Sequence, residues 1–220
     1  MAEEAVRTNL LESIRRDIEV TASNYAQMHE RLRLRDSASK FFVTYYSVFA
    51  ILFSLIPFFF GEQITYRALF DFLTISMSIV VLVASLLISF AKYSERALQA
   101  VKALDDLKRL KKELSKYTDD DMWDDECKKY NSCVKRYHQI VDHMELRTEI
   151  DYYRSCKKLS TKTGFEDRWK NLSWFSKCLA YSARIIDYLG YVLLLLFPLG
   201  ALCWCFKDVL CSLVMCTQLQ

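Results

Sequence analysis

Glycine and proline are almost missing from this sequence. Four Gly and two Pro in 220 residues are too few for a sheet protein, which needs a turn about every 8–12 residues. The same scarcity excludes collagen-like and low-complexity classes. Histidine is scarce too, with residues only at positions 29, 138 and 143. At roughly 150 residues per domain the length fits one domain or two small ones. A mean hydropathy of +0.04 is that of an ordinary soluble protein, but it averages over a sharp segregation. Charge is absent from Phe41–Phe60, from Phe72–Ala91 and from Tyr188–Phe206. A helix of about twenty apolar residues crosses the roughly 30 Å hydrocarbon core of a bilayer. The sequence therefore predicts an all-α membrane protein.

Insertion energetics agree. Phe41–Phe60 carries seven Phe, two Leu, two Ile and two Val, which together supply roughly −4 to −8 kcal/mol. The hydroxyl residues Thr44, Tyr45, Tyr46 and Ser47 offset part of this, but they cluster at one end of the span, where water is close. The first ten residues are polar and contain no apolar core of a cleavable signal, so Phe41–Phe60 is expected to act as a signal-anchor.

Lys and Arg near the span ends set the expected orientation. Arg31, Arg33, Arg35 and Lys40 precede the first span, and the connector 61–71 holds only Arg67. Lys92, Arg96, Lys102, Lys108, Arg109 and Lys111 follow the second span; Arg168, Lys170, Lys177 and Arg184 precede the third, and Lys207 follows it. The expected order is a cytoplasmic helix over 1–40, a span over 41–60, an outer connector over 61–71 and a span over 72–91. A cytoplasmic helical domain over 92–184, a third span over 185–206 and a tail over 207–220 complete it. Pro198, Gly190 and Gly200 leave open whether the third segment crosses fully or bends back.

Apolar residues also recur at helical spacing outside the spans. Leu11, Ile14, Ile18, Thr21, Tyr25, Met28 and Leu32 alternate by three and four. So do Tyr93, Arg96, Ala100, Ala103, Leu107, Leu110, Leu114 and Tyr117. Such seams pair helices. A short connector makes the two spans antiparallel, so one long helical hairpin is expected, each arm running unbroken from water into the membrane. No Gly or Pro lies between Met1 and Ile56, nor in the second span and the Leu-rich stretch after it.

Six acids within Asp119–Glu126 suit a turn and the first turn of a helix, where the dipole favours negative charge; the run lacks the glycine and spacing of an EF-hand loop. A second amphipathic helix is expected over 124–159, a loop over 160–164, and a short membrane-surface helix over 165–184.

Residues that carry chemistry are sparse. The sequence contains no Walker loop, dinucleotide turn or nucleophile elbow. Cys127, Cys133, His138 and His143 would sit near azimuths of about 0°, 240°, 20° and 160° on a helix, so they do not converge as metal ligands. No metal site, no cofactor and no enzymatic activity are expected. Eight Cys beside a cytoplasmic domain read as free thiols; Cys203, Cys205, Cys211 and Cys216 crowd the third span and the tail. Residues 92–184 hold 21 basic and 16 acidic side chains, a net of +5 interrupted by the acidic run, so no direct nucleic-acid partner is expected.

The remaining signal is polarity inside the spans. Thr74, Ser78, Ser85 and Ser89 fall within about 60° of one another on a helix, and Thr44, Ser47 and Ser54 within about 80°. Such stripes either line a water-filled pore built by several copies or serve close helix packing, for which hydroxyl and small residues are the usual membrane interface. No span carries the interior charge a transporter would need.

The polar helix with Ile14-Arg15-Arg16-Asp17-Ile18 and Arg31-Leu32-Arg33, the aromatic first span and the short connector form one pattern. It continues through the second span into Lys92-Tyr93-Ser94-Glu95-Arg96-Ala97 and the Leu-rich helix to Tyr117. This pattern resembles the SLATT family of two-transmembrane effector domains, best over Leu10–Tyr117; a third span departs from the two-span core. The resemblance implies a membrane effector of a bacterial antiviral conflict system. Such an effector lies in the lipid bilayer of the cell membrane, homo-oligomerises and forms a pore that kills or arrests the infected cell. It also implies a partner sensor or nucleotide-producing enzyme of the same system. The alternative is a constitutive membrane-anchored scaffold that docks a partner and conducts nothing.

Overall fold

A computed structural model describes residues 2–60, 67–116, 123–145, 148–162 and 164–217. Seven helices account for nearly all of them: α1 (Ala2–Phe60), α2 (Arg67–Ala91), α3 (Tyr93–Ser115), α4 (Trp123–Asp142), α5 (Glu149–Leu159), α6 (Glu166–Lys170) and α7 (Trp174–Thr217). No strand occurs among the described residues. The protein is all-α, as the shortage of turn-forming residues predicts.

The chain divides into two compact units, one of Met1–Leu34 with Tyr93–Ala183, the other of Arg35–Lys92 with Arg184–Gln220. The first has a conventional core. Ile18, Tyr25, Met28 and Leu32 of α1 form one cluster with Ala97, Ala103, Leu107, Leu110 and Leu114 of α3 and Cys133 of α4. Each fully buried Leu or Met contributes about 1.5–3 kcal/mol relative to exposure. Ile14 and Tyr93 pack at the edge of the cluster, and Ala100 is also buried. Tyr117 and the side chain of Leu11 lie outside the described residues.

A second, adjoining side of α1 is buried as well, and it is polar. Asn24 and Gln27 are almost wholly buried, as are Asp151 and Ser155 of α5. An Arg31 Nη2 to Asp151 Oδ2 ion pair of 2.9 Å joins the two helices, and the Thr148 hydroxyl donates to the same carboxylate oxygen at 2.8 Å. Thr148 is the N-cap of α5. Its backbone carbonyl accepts from the N–H of Asp151 and of Tyr152, while acids fill the first turn of α5 and Lys157 and Lys158 the last, matching the helix dipole. A smaller cluster of Val20, Leu159 and Phe165 seals the same side.

Three expected elements differ. The helix expected over 124–159 is two helices, α4 ending at Asp142 and α5 starting at Glu149; the His143 Nδ1–H turns back to donate to the Gln139 carbonyl at 2.8 Å. The helix expected over 165–184 is also divided: five-residue α6 stops at Lys170, and α7 starts at Trp174 and runs on without interruption through the third apolar segment. The second hairpin arm, expected to be unbroken, is interrupted at Lys92, whose φ of 46° lies in the left-handed region. A residue other than glycine there is sterically strained by about 1–2 kcal/mol. The acidic run is described only from Trp123 onward, where Asp124 lies in the first turn of α4.

Candidate functional site

The second unit is built from the C-terminal part of α1, from α2, and from most of α7. Many of its exposed residues are apolar, among them Ile51, Leu82, Leu87, Phe90, Leu193 and Phe197. A continuous apolar surface of this kind marks a lipid or protein contact. Helical stretches within Glu12–Leu55 and Asp71–Ser115 are long and apolar enough to cross a bilayer, as the charge-free runs predict. The apolar stretch of α7, Tyr188–Gly200, is shorter.

Two hydrogen bonds fasten α7 to α1. Pro198 stands inside α7 and has no N–H, so the carbonyl four residues earlier, Leu194, loses its helical donor. The Tyr46 hydroxyl donates to the Leu194 carbonyl at 2.8 Å, and the Tyr45 hydroxyl to the Leu195 carbonyl, also at 2.8 Å. A proline inside a spanning helix is tolerated where a neighbour satisfies the carbonyl it frees. Phe42 stacks on Tyr191 at 5.5 Å between ring centroids on the same interface, and Phe49 and Phe53 are buried. In the sequence Tyr45 and Tyr46 read only as polar residues that cost insertion energy, and Pro198 only as a place to bend.

The hydroxyl stripes point elsewhere. On α2, Val80, Val81, Ala84 and Ile88 line an open apolar cavity shared with α1 and α7, whereas Ser78, Ser85 and Ser89 are exposed outside it and Thr74 is half-buried. On α1, Thr44 and Ser54 are exposed and Ser47 half-buried. Each of these hydroxyls with a described donor role bonds to its own helix. Thr44 donates to the Lys40 carbonyl, Ser47 to Val43, Ser54 to Ile51, Ser78 to Thr74 and Ser85 to Val81, at 2.7–3.0 Å. No hydrogen bond joins the two stripes among the described residues.

A sequence profile of the SMODS and SLOG-associating 2TM effector domain, family 5, matches residues 7–204. The chain belongs to this SLATT family. No curated protein and no solved structure matches the chain. Family membership makes the protein a membrane effector of conflict systems, in which SLATT domains are associated with SMODS and SLOG partner domains. The match takes in both stretches able to span and the whole apolar stretch Tyr188–Gly200 of α7, so the apolar segment expected as a departure from the two-span core falls inside the SLATT domain.

Among the described residues no three His, Cys, Asp or Glu side chains converge to hold a metal ion. Cys133 belongs to the buried cluster of the first unit, and burial pushes its thiol above the ordinary range, helped by the Glu113 carboxylate and opposed by Arg136. Cys203 is a free, exposed thiol. The side chains of Cys205, Cys211 and Cys216 lie outside the described residues.

A charge cluster joins three elements of the first unit. Glu19 accepts from Lys111 at 3.0 Å and from Lys162 at 2.5 Å, tying α1 to α3 and to the loop after α5. Burial raises the Glu19 carboxyl, but the hydrogen bonds and charges of Lys162 and Lys111 outweigh it and hold the group below its ordinary value.

Proposed function

We propose that the domain assembles as a homo-oligomer in the cell's own membrane and, on activation, opens a pore that kills or arrests the cell. The observation that carries this reading is the outward position of Ser78, Ser85 and Ser89 on α2, a polar line on an otherwise apolar surface of an effector-family domain. One such line per chain cannot enclose water, so several copies must contribute. The spans carry no interior charge, and hydroxyls are then the groups available to solvate a passing ion. The protein acts without enzymatic chemistry or cofactor of its own. Its N-terminal helix and residues 92–184 face the cytoplasm, where a sensor or nucleotide-producing enzyme of the same defence system would engage it.

Expression toxicity and dye release from liposomes test the pore. Ser78→Leu or Ser85→Leu should lower both while the protein still inserts and assembles, because a leucine narrows the conduit and removes ion-solvating oxygens. Expression level and oligomer size must be followed in parallel. A packing role gives the opposite pattern: leucine disrupts assembly and Ser→Ala is nearly silent. Normal assembly with full toxicity of both leucine variants would refute the pore, as would wild-type protein that releases no dye when activated by its partner.

A further inference from the structure

An open apolar cavity on the second unit has a volume of about 650 Å³ and is lined by Phe42, Val43, Val80, Ala84, Leu194 and Phe197 among others; Val80, Leu194 and Phe197 are exposed at its mouth. Its walls are hydrocarbon apart from a few hydroxyl groups. One of these, on Tyr46, is already committed to the Leu194 carbonyl. A polar ligand there would find few hydrogen-bond partners.

We infer that this cavity is a binding site for one phospholipid, with an acyl chain between α1, α2 and α7 and the phosphate at Arg35. The volume falls within the roughly 300–1,000 Å³ of small-molecule sites. The main rival is a helix from a second copy, which would bring no phosphate to Arg35. Immersion in a bilayer presents acyl chains to such a cavity at very high local concentration.

Charge supplies the second half of the fit. Ser39, Phe42 and Tyr46 of α1 line the cavity, and Arg35 lies four residues before Ser39. Positions 35, 39, 42 and 46 share one helix face, so Arg35 stands on the line of the cavity one turn beyond its Ser39 end. It is half-buried, and it makes no ion pair among the described residues, since the neighbouring Asp36 carboxylate is taken by Lys40 at 2.6 Å. A guanidinium so placed offers a planar fork to a phosphate oxygen pair. An anionic headgroup is favoured over a zwitterionic one, in which the phosphate charge is offset.

The test uses the full chain purified from membranes containing equal parts phosphatidylglycerol and phosphatidylethanolamine, then washed in detergent. Retained phospholipid is measured by mass spectrometry of the extracted lipid. Wild-type protein should keep one phospholipid per chain, enriched in phosphatidylglycerol. Ala84→Trp fills the cavity and should abolish retention, whereas Leu86→Trp, on the exposed flank of α2, should not change it. Arg35→Gln should keep the chain site but reduce phosphatidylglycerol affinity about tenfold, the loss expected for one charge-assisted hydrogen bond. Helicity by far-UV circular dichroism checks folding. If Ala84→Trp unfolds, Val80→Phe is judged by the same criterion. Wild-type protein without retained lipid, or full retention by a folded cavity-filling variant, would overturn the site. The measurement is made in detergent and needs no conductance, so its failure and that of the pore are separately visible.

Discussion

The tyrosine–proline contact in the membrane unit lends itself to a quantitative test. Tyr46→Phe removes one hydroxyl and leaves the ring, so packing is preserved and only the bond to the Leu194 carbonyl is lost. That carbonyl has no second donor within α7, because the residue four positions on is Pro198. Side-chain hydrogen bonds between membrane helices contribute about 0.6 kcal/mol on average and up to about 1.7 kcal/mol. This one should lie near the top of that range, since no helical partner stands in reserve. The loss corresponds to a rise of up to about 18-fold in the unfolding constant. The decisive arm is the double-mutant cycle with Pro198→Ala, which restores an N–H to the Leu194 carbonyl. In that background Tyr46→Phe should cost almost nothing. Tyr45→Phe is the internal control. Its acceptor, Leu195, has Leu199 as a helical donor in either background, so its coupling to position 198 should be small. Reversible unfolding in mixed micelles, followed by far-UV circular dichroism, gives the four free energies of each cycle. Equal costs of Tyr46→Phe with and without Pro198 would refute the argument.

Three further outcomes concern the first unit. Leu107→Asp places a carboxylate at a position with no exposed surface and should cost several kcal/mol, while Leu107→Ala should cost about 2–5 kcal/mol; both are read from the melting of the full chain. Asp151→Asn strands the Arg31 guanidinium in the interior and should destabilise the unit by about 3–5 kcal/mol. A cost below that of an exposed control such as Glu12→Gln would show the pair to be dispensable. The Glu19 carboxyl is held below its ordinary value in the folded state. Its contribution is therefore present above the unfolded carboxylate value of about 4.3 and is lost as pH falls through the lower folded value. Glu19→Gln should make stability less dependent on pH in that acid window and leave the dependence near neutrality unchanged, as measured by melting temperature against pH.

The chain displays some of this architecture openly and hides the rest. The spans are legible because charge cannot enter hydrocarbon, so its absence over twenty residues is a physical constraint rather than a preference. Ile18, Met28, Leu107 and Leu110 are visible because a three-and-four spacing of large apolar groups has few other uses in a water-exposed helix. The interruption at Lys92 has no such mark. Neither glycine nor proline stands there, and the residue that adopts positive φ is a lysine, a type that gives no local sign of it. Asn24, Gln27 and Asp151 look like a solvated face, since nothing local tells a polar group that meets water from one that meets another buried polar group. The tyrosine–proline contact is nonlocal as well. Positions 46 and 194 are 148 residues apart, and only the proline's missing N–H hints that its helix needs a donor from elsewhere. Of the hydroxyl positions, the spacing was readable but their outward direction was not, because direction depends on which flank of α2 meets α1 and α7.

The serine and threonine side chains of the spans have one more consequence. A hydroxyl that donates to a carbonyl one turn back carries its own acceptor wherever the helix goes. Ser78 and Ser85 thus need nothing from their surroundings to stay satisfied, and each still keeps oxygen lone pairs to offer. Such a surface is compatible with three different neighbours: lipid tails, an adjacent helix, or water. Moving it from one to another breaks no hydrogen bond and leaves no group stranded. The stripe therefore sets no energetic threshold on rearrangement of the spans, and any barrier that keeps the domain quiet must be held by other contacts.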